Sequence, residues 1–206
     1  MLVCVAGQAR DFLGGEILMR WGTTMRRLSL VLAMFGLFIA RRIDAQAADY
    51  APSQRLPKGR ELVAIYIGST DCGPCQWPQV KSAIRAMKSL LATQAKQRGE
   101  GLTVIGAAQD WDIKQGAAFL EPLGAFDQVV IGGNWTNLAV EQFVLRDSLS
   151  DMAMPQVVLV ERTVQLGQRV TVSEPHFLRR ISGGVDIPAW VAAGAPIAVL
   201  DDKKPR

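Results

Sequence analysis

The residues of this chain with the clearest chemical potential are two cysteines, Cys72 and Cys75, which lie three positions apart. The chain has 206 residues and only three cysteines, so the pair does not follow from a cysteine-rich composition. Two thiols at this spacing meet along one edge of a helical turn, close enough to form a disulfide. Their possible chemistry is thiol-disulfide exchange or metal ligation.

The residues around the two sulfurs favour exchange. A thiol reacts as its thiolate, and the first turn of a helix presents unpaired N–H groups that stabilise negative charge. We expect Cys72 to lie at such a turn and act as the nucleophile, with Cys75 more covered and acting second. Pro74 is tolerated in a first turn and stiffens the loop, while Gly73 allows the backbone of a partner to approach.

Metal ligation and a purely structural disulfide are the alternatives. Zinc would need two further strong ligands, and outside the pair the chain has one histidine, His176, and one cysteine, Cys4. The composition therefore disfavours zinc, and no metal is expected. A redox-silent binding module is a further alternative. A disulfide across so short a loop adds little stability, which favours a redox role.

A strand and a helix are predicted on either side of the pair. The nearly continuous apolar run from Glu61 to Ile67 is typical of a strand covered on both faces. After Cys75, apolar residues recur at steps of three and four until Gly99, which predicts a helix with one buried face. Cys72 therefore lies in the loop that leaves the strand and opens the helix.

The rest of the chain alternates strands and helices. Strands are predicted at Leu102–Ala107, Gln128–Ile131 and Gln156–Val160, the last in a hairpin with Gln168–Val172. Helical segments are predicted near Ile113–Leu120 and Trp135–Leu145, and a broken closing helix over Phe177–Ala193. This order predicts an α/β fold with a mixed central sheet and helices on both faces. Functional residues of such sheets gather in loops at the carboxyl ends of central strands, where Cys72 lies.

The Cys-Gly-Pro-Cys motif, after a buried strand and opening a helix, resembles the active site of the thioredoxin superfamily. Members of that family also carry a cis-proline loop that faces the cysteines and precedes a later strand. Met154 and Pro155, directly before the predicted strand at Gln156, match that loop. The resemblance covers roughly Leu56 to Ala193.

The resemblance implies a thioredoxin-like three-layer fold and thiol-disulfide oxidoreductase activity on protein substrates. Some copper chaperones of the same fold use two cysteines and a distant histidine, so a copper-binding protein with His176 as the third ligand is the alternative that the resemblance leaves open. It implies Cys72 as nucleophile and Cys75 as resolving thiol, with the dithiol itself as the redox carrier and no other cofactor. The implied substrate contacts are Met154, Pro155, Gly73, Pro74 and Trp77, although packing against the helix is an equal alternative for Trp77.

Four features depart from the cytosolic members of the family. Asp71 stands where they carry a tryptophan, and Tyr66 stands where they carry a buried aspartate. Pro78 follows the second cysteine by three positions instead of five. The 79 residues between Cys75 and Pro155 leave room for an insertion of helix, strand and helix. Extracytoplasmic relatives often carry insertions there.

The amino-terminal region has the order of a secretory signal. Met25 and two arginines precede the apolar run Leu28–Ala40, which has 13 residues, and Ala45-Gln46-Ala47 follows. We expect translation to begin at Met25 and cleavage to follow Ala47; an uncleaved anchor through residues 28–40 is the alternative. The predicted organisation is an extension with signal or anchor over 1–47, a linker over 48–59 and a thioredoxin-like domain over 60–206.

The net charge of the mature chain limits the classes of partner that it is expected to bind. Cleavage after Ala47 leaves 17 lysines and arginines against 16 aspartates and glutamates, a net charge of +1. This balance disfavours nucleic acid. The cut also removes Cys4 and leaves only the close pair, as suits an oxidising compartment. We expect a periplasmic location, protein thiols or disulfides as substrates, and a membrane redox partner.

Overall fold

The computed structural model describes residues 50–53, 57–145 and 152–197, which belong to one compact unit. The predicted signal or anchor, the start at Met25, the cleavage after Ala47 and Cys4 lie outside the described residues. No helix in the described ranges is both long enough and apolar enough to cross a membrane.

A mixed sheet of six strands lies at the centre of the described fold. The strands are β1 (Gly59–Gly68), β2 (Gly101–Ala108), β3 (Gln128–Ile131), β4 (Gln156–Leu166), β5 (Val170–Val172) and β6 (His176–Ser182). β1 is central, with β2 parallel to it on one side and β4 antiparallel on the other. β3 extends the parallel side, and both β5 and β6 pair with β4.

Helical elements connect the strands. The α-helices are α1 (Pro78–Gln97), α2 (Ile113–Leu120), α3 (Leu138–Val140) and α4 (Asp186–Ala192). Shorter 3-10 turns occur at Gly73–Gln76, Glu121–Leu123 and Asn134–Thr136, and a π-helical turn at Glu141–Leu145. The predicted insertion helix over Trp135–Leu145 is therefore three short elements. Asn137 separates the first two, because its amide donates to the Gly132 carbonyl at 2.9 Å and accepts from the Ala139 N–H.

The sheet is covered on both faces because side chains of a strand alternate between them. In β1, Leu62, Ala64 and Tyr66 join a core with α1, α2 and α4. The intervening side chains, such as Ile65 and Ile67, join a second core with α3 and the π-helical turn. The expected α/β architecture with a mixed sheet is confirmed, and the double coverage explains the uninterrupted apolar run of β1.

Two predictions about the last third of the chain are wrong in part. The segment predicted to begin a broken helix at Phe177 is β6, and only α4 is helical. A register shift between Leu159 and Val160 disturbs the strand alternation in β6, so Leu178 and Ile181 are buried at a helix-like spacing of three. β5 pairs only with the far end of β4, and β6 pairs with Gln156–Glu161 instead.

The predicted position of the cysteines at the start of the long helix also needs correction. Cys72 is the N-cap of the separate 3-10 turn Gly73–Gln76, which contains Cys75, and α1 begins only at Pro78. Trp77, which lies between this turn and α1, is extended, with φ −62° and ψ 133°. The residue before a proline is disfavoured in the α conformation, so Pro78 forces this break and starts α1 as a proline at the first helical position.

Candidate functional site

The loop that leaves β1 is held in place by the neighbouring loop after β2. The Gln109 N–H donates to the Gly68 carbonyl at 2.9 Å, and the Thr70 N–H donates to the Asp110 carboxylate at 3.1 Å. The Gln76 side chain donates back to the Thr70 carbonyl at 3.1 Å. These bonds fix the turn that carries the cysteines against the carboxyl end of the parallel strands.

Cys72 and Cys75 form a disulfide, with 2.00 Å between the sulfurs and 5.2 Å between the Cα atoms. Cys75 is 0% exposed and Cys72 is 8% exposed. The Cys75 N–H donates to Cys72 Sγ at 3.2 Å. A donor directed at this sulfur stabilises negative charge on it, so the more accessible cysteine also has the better environment for a thiolate.

Gly73 and Pro74 present different surfaces on the same turn. A Cβ atom added to Gly73 would have no other atom within 4 Å, so the space outside this residue is open. Pro74 is partly buried, and its Cβ would lie 2.9 Å from a Cβ added to Gly184. Within the described chain, the packing does not require a glycine at 73, whereas Pro74 is packed against a second loop.

The Met154-Pro155 peptide bond is cis, as the resemblance predicts, and it directly precedes β4. Pro155 is buried and its carbonyl accepts from the Gly183 N–H at 2.8 Å. Met154 packs against the core that contains both cysteines. Neither its N–H nor its C=O has a hydrogen-bond partner in the described part of the chain. The main chain of Met154 is therefore free to pair with another strand.

The turn after β6 completes the site, and the sequence analysis did not identify it. Gly183 has φ +105°, a conformation that favours glycine, and its N–H holds Pro155. A Cβ atom added to Gly184 would lie 2.8 Å from the ring of Trp77. The turn thus connects the cis-proline to the cysteine turn. The sequence signal for it was the glycine pair itself, which interrupts the segment predicted as a broken helix.

Trp77 and Asp71 lie at the rim of the site. Trp77 is 40% exposed while one part of its ring covers Gly184, so it both packs and contributes to the surface. Asp71 is exposed and forms no ion pair with any described residue. Neither residue is buried as a purely structural side chain would be.

Tyr66 lies beneath the site in place of the acid expected from the resemblance. Its side chain is fully buried, and burial raises the pKa of its hydroxyl, which therefore remains protonated. The hydroxyl would lie 2.7 Å from a Cβ added to Gly68, so it points toward the carboxyl end of β1. It has no hydrogen-bond partner among the described residues.

Two buried amide side chains flank the end of β1 on the face away from the disulfide. Gln109 follows β2, and Gln156 follows the cis-proline and pairs with Ile67. Among the described residues, neither amide group has a hydrogen-bond partner. The site end of the sheet therefore contains several buried polar groups that no described residue satisfies, and the sequence pattern gave no indication of them.

His176 does not lie near the cysteines. It begins β6, whereas Ser182 at the other end of that strand is the residue that pairs beside the cis-proline. Six residues of strand separate the two by about 20 Å. No group of three or more histidine, cysteine, aspartate or glutamate side chains in the described chain is arranged to hold a metal ion. The copper alternative therefore lacks its third ligand.

No family model matches the sequence, and no curated protein is a significant match to it. The functional interpretation consequently depends on the residues of the site and their geometry.

Proposed function

We propose that this chain is a thiol-disulfide oxidoreductase with a thioredoxin-like fold. The observation that carries the proposal is the disulfide between Cys72 and Cys75 at the carboxyl end of the central strand, in the same core as Met154, whose main chain is not paired with any described residue. The sulfur of Cys72 is nearly buried but still accessible to a nucleophile, and the main chain of Met154 beside it is available for strand pairing. Both features suit a protein substrate.

The topology supports the finer description of the fold. β1, α1 and β2 form a parallel unit, and β4 and β6 form an antiparallel pair followed by α4. The cysteine turn follows the first strand of this unit, and the cis-proline precedes the antiparallel pair. This order is the one that the resemblance to the thioredoxin superfamily implies.

The proposed reaction transfers two electrons. In the reducing direction the Cys72 thiolate attacks a substrate disulfide, forming a mixed disulfide while the other substrate sulfur leaves and takes a proton. The Cys75 thiol then loses its proton and attacks the Cys72 sulfur, releasing the second substrate thiol. The substrate gains two electrons and two protons, and the dithiol becomes a disulfide. The same steps run backwards when the substrate is oxidised.

Met154 positions the substrate in this proposal. An extended substrate segment pairs with its free N–H and C=O as an added strand, which places a substrate cysteine next to Cys72. Gly73 contributes by leaving the approach open, since its surroundings are empty within the described chain. Pro74 and Trp77 form the adjoining surface.

Insulin reduction tests the proposal. We expect the wild-type protein to accelerate reduction of insulin by dithiothreitol, and the Cys72→Ser variant to lose that activity. The Cys75→Ser variant should accumulate a mixed disulfide, because its resolving thiol is missing. Cys4→Ser, made and assayed in the full chain of 206 residues, is the matched control and should retain activity. Absence of turnover in the wild type, or full activity in Cys72→Ser, would contradict the proposal.

We further propose that the protein acts outside the cytoplasm, in the periplasm, with a membrane protein as electron donor or acceptor. The support is the apolar run Leu28–Ala40 behind two arginines, together with a mature chain whose cysteines are limited to the close pair. Amino-terminal sequencing of the exported protein tests this, and a mature product that retains Trp21 would contradict a start at Met25.

A further inference from the structure

The loops around the disulfide carry an excess of negative charge. Five loops meet at this end of the sheet, at residues 69–79, 109–115, 132–138, 152–155 and 183–189, and they contain four aspartates and one lysine. The charged residues are Asp71, Asp110, Asp112, Asp186 and Lys114. We call this set of loops the site rim.

The exposed carboxylates of the site rim are not neutralised by any described residue. Asp71, Asp112 and Asp186 are exposed, and none of them forms an ion pair within the described ranges. Asp112 accepts only the Gln115 N–H as the N-cap of α2, and Asp110 accepts from the Thr70 N–H. The negative potential of the rim is therefore directed to solvent.

Large apolar side chains are exposed on the same rim. Trp111 is 75% exposed, Val185 is 71% exposed and Trp77 is 40% exposed. Trp111 adjoins Asp110, which holds the loop before Cys72, and Val185 adjoins Gly184, which packs on Trp77. Exposed apolar side chains thus stand next in sequence to two residues that contact the loop of the cysteines, a composition that fits a polypeptide better than a small ion.

We infer that the preferred substrates are protein segments that carry basic side chains close to the reacting cysteine. This inference rests on the proposed function and specifies its substrate class. A basic segment neutralises carboxylates that form no ion pair with any described residue, and its attraction increases the rate of encounter. An acidic segment meets like charge and is disfavoured, so the rim selects by repulsion as well as by attraction.

Two disulfide-bonded peptides with the same apolar, cysteine-containing core test the inference, one flanked by lysines and the other by glutamates. Reduced protein is mixed with each peptide, and the oxidised protein and reduced peptide are measured by rapid quench and chromatography. Each turnover moves two electrons and two protons from the protein dithiol to the peptide disulfide. We expect the lysine peptide to react roughly tenfold faster at low salt, because steering of this kind is strongest there.

Two further measurements separate charge from other causes. Raising the salt concentration to about 0.5 M should reduce the ratio of the two rates toward one, because screening then acts within a few ångströms. The double variant Asp112→Asn with Asp186→Asn should also reduce the ratio, and asparagine preserves the N-cap of α2. Glu121→Gln is the matched control: an exposed carboxylate at the far end of α2, whose removal should leave the ratio unchanged.

The outcomes separate the preference for basic segments from the proposed oxidoreductase activity on which it rests. Equal rates for the two peptides, or a ratio that neither salt nor the double variant changes, would overturn the substrate class while leaving the oxidoreductase activity intact. A faster reaction with the glutamate peptide would show a preference for acidic segments and would also overturn the inference. Failure of either peptide to exchange at all, with Cys72 shown to be reduced beforehand, would overturn the proposed function together with this inference.

Discussion

The two ends of the central sheet differ in whether their charged side chains form ion pairs with other described residues. At the amino end of β1, Arg60 contacts Glu100 at 2.7 Å and Glu161 at 2.9 Å. Arg98 contacts the same two carboxylates at 2.9 Å and 3.1 Å, which closes a ring of four charges. The hydrogen bond from Arg60 lowers the pKa of Glu161. At this end each carboxylate of the ring has an arginine within ion-pair distance, although neither oxygen of Glu100 accepts a hydrogen bond of ordinary geometry from a described residue.

The most buried ion pair is at the same end. Glu61 has no exposed surface, and Arg162 donates to it at 2.6 Å while Thr103 donates to its other oxygen. At the site end, by contrast, the rim aspartates have no ion pair and the buried hydroxyl of Tyr66 has no partner in the described chain. Internal pairing specifies one fold, whereas unpaired groups remain for another molecule to satisfy.

This difference between the two ends indicates that the site end is the less stabilised of the two. A buried polar group without a partner costs about 1–3 kcal/mol, and a protein keeps such groups where they serve function or bind water. We therefore expect substitutions at the paired end to change stability and leave exchange intact. Substitutions at the site end should change exchange with smaller effects on stability.

The largest expected effect is at the paired end. Arg162→Leu leaves the carboxylate of Glu61 buried without its cation, which typically costs about 3–5 kcal/mol. Urea denaturation of the oxidised protein measures this loss. The matched variant at the site end is Asp71→Asn, which removes an unpaired surface charge and should change stability by less than about 0.5 kcal/mol. Similar losses in the two variants would refute the contrast between the ends.

The next effect is expected at the site end. Gly184→Ala places a Cβ atom 2.8 Å from Trp77 and 2.9 Å from Pro74, so the cysteine turn or the Gly183 turn must move. Overpacking of this kind costs about 1–3 kcal/mol, and here it should also slow insulin reduction. Gly73→Ala, on the same surface but with open surroundings, should change stability by a few tenths of a kcal/mol. A fully active Gly184→Ala would show that this turn is not part of the site.

Lys88 lies between the two ends, and its pKa depends on how its buried ammonium group is surrounded. Its ammonium donates to the carbonyls of Leu123 and Ala125 and lies 3.6 Å from the centre of the Phe126 ring. Burial lowers its pKa to about 7; the nearby carboxylate of Asp127 opposes this shift. In the unfolded chain lysine stays protonated to about pH 10.4.

This lysine predicts a pH dependence with a definite sign. Between pH 7 and about 10 the unfolded chain binds one more proton at Lys88 than the folded chain, so its contribution to stability increases as the pH rises. The slope is at most about 1.4 kcal/mol per pH unit. Urea midpoints of wild type and Lys88→Met across this range should reveal the slope as a difference between the two proteins. Parallel curves would mean that Lys88 keeps an ordinary pKa.

The elements next to the cysteines were predictable because they follow single periodicities. The strand β1 is apolar without interruption from Leu62 to Ile67, and α1 repeats at steps of three and four, so the sequence positions the loop that holds Cys72. The spacing of the cysteines and the placement of Pro155 were also sufficient to bring them to one end of the sheet.

The remaining features depend on contacts that no local pattern encodes. The β-bulge in β6 gives Leu178 and Ile181 a helical spacing, which imitates a helix. The role of Gly184 arises only when a distant turn folds against Trp77. The missing partners of Gln109 and Gln156 are likewise invisible in sequence, because an amide residue near a strand end is usually satisfied.

The smallest effect concerns the hydroxyl beneath the disulfide. Tyr66→Phe removes a buried hydroxyl that has no hydrogen-bond partner in the described chain and keeps the ring beside Phe119. Removing such a group relieves its desolvation penalty, so the oxidised protein should become more stable by up to about 1 kcal/mol. Urea denaturation under non-reducing conditions measures the change. A loss of stability would mean that the hydroxyl is satisfied after all, by bound water, and that this end of the sheet is less open to a partner than the paired end suggests.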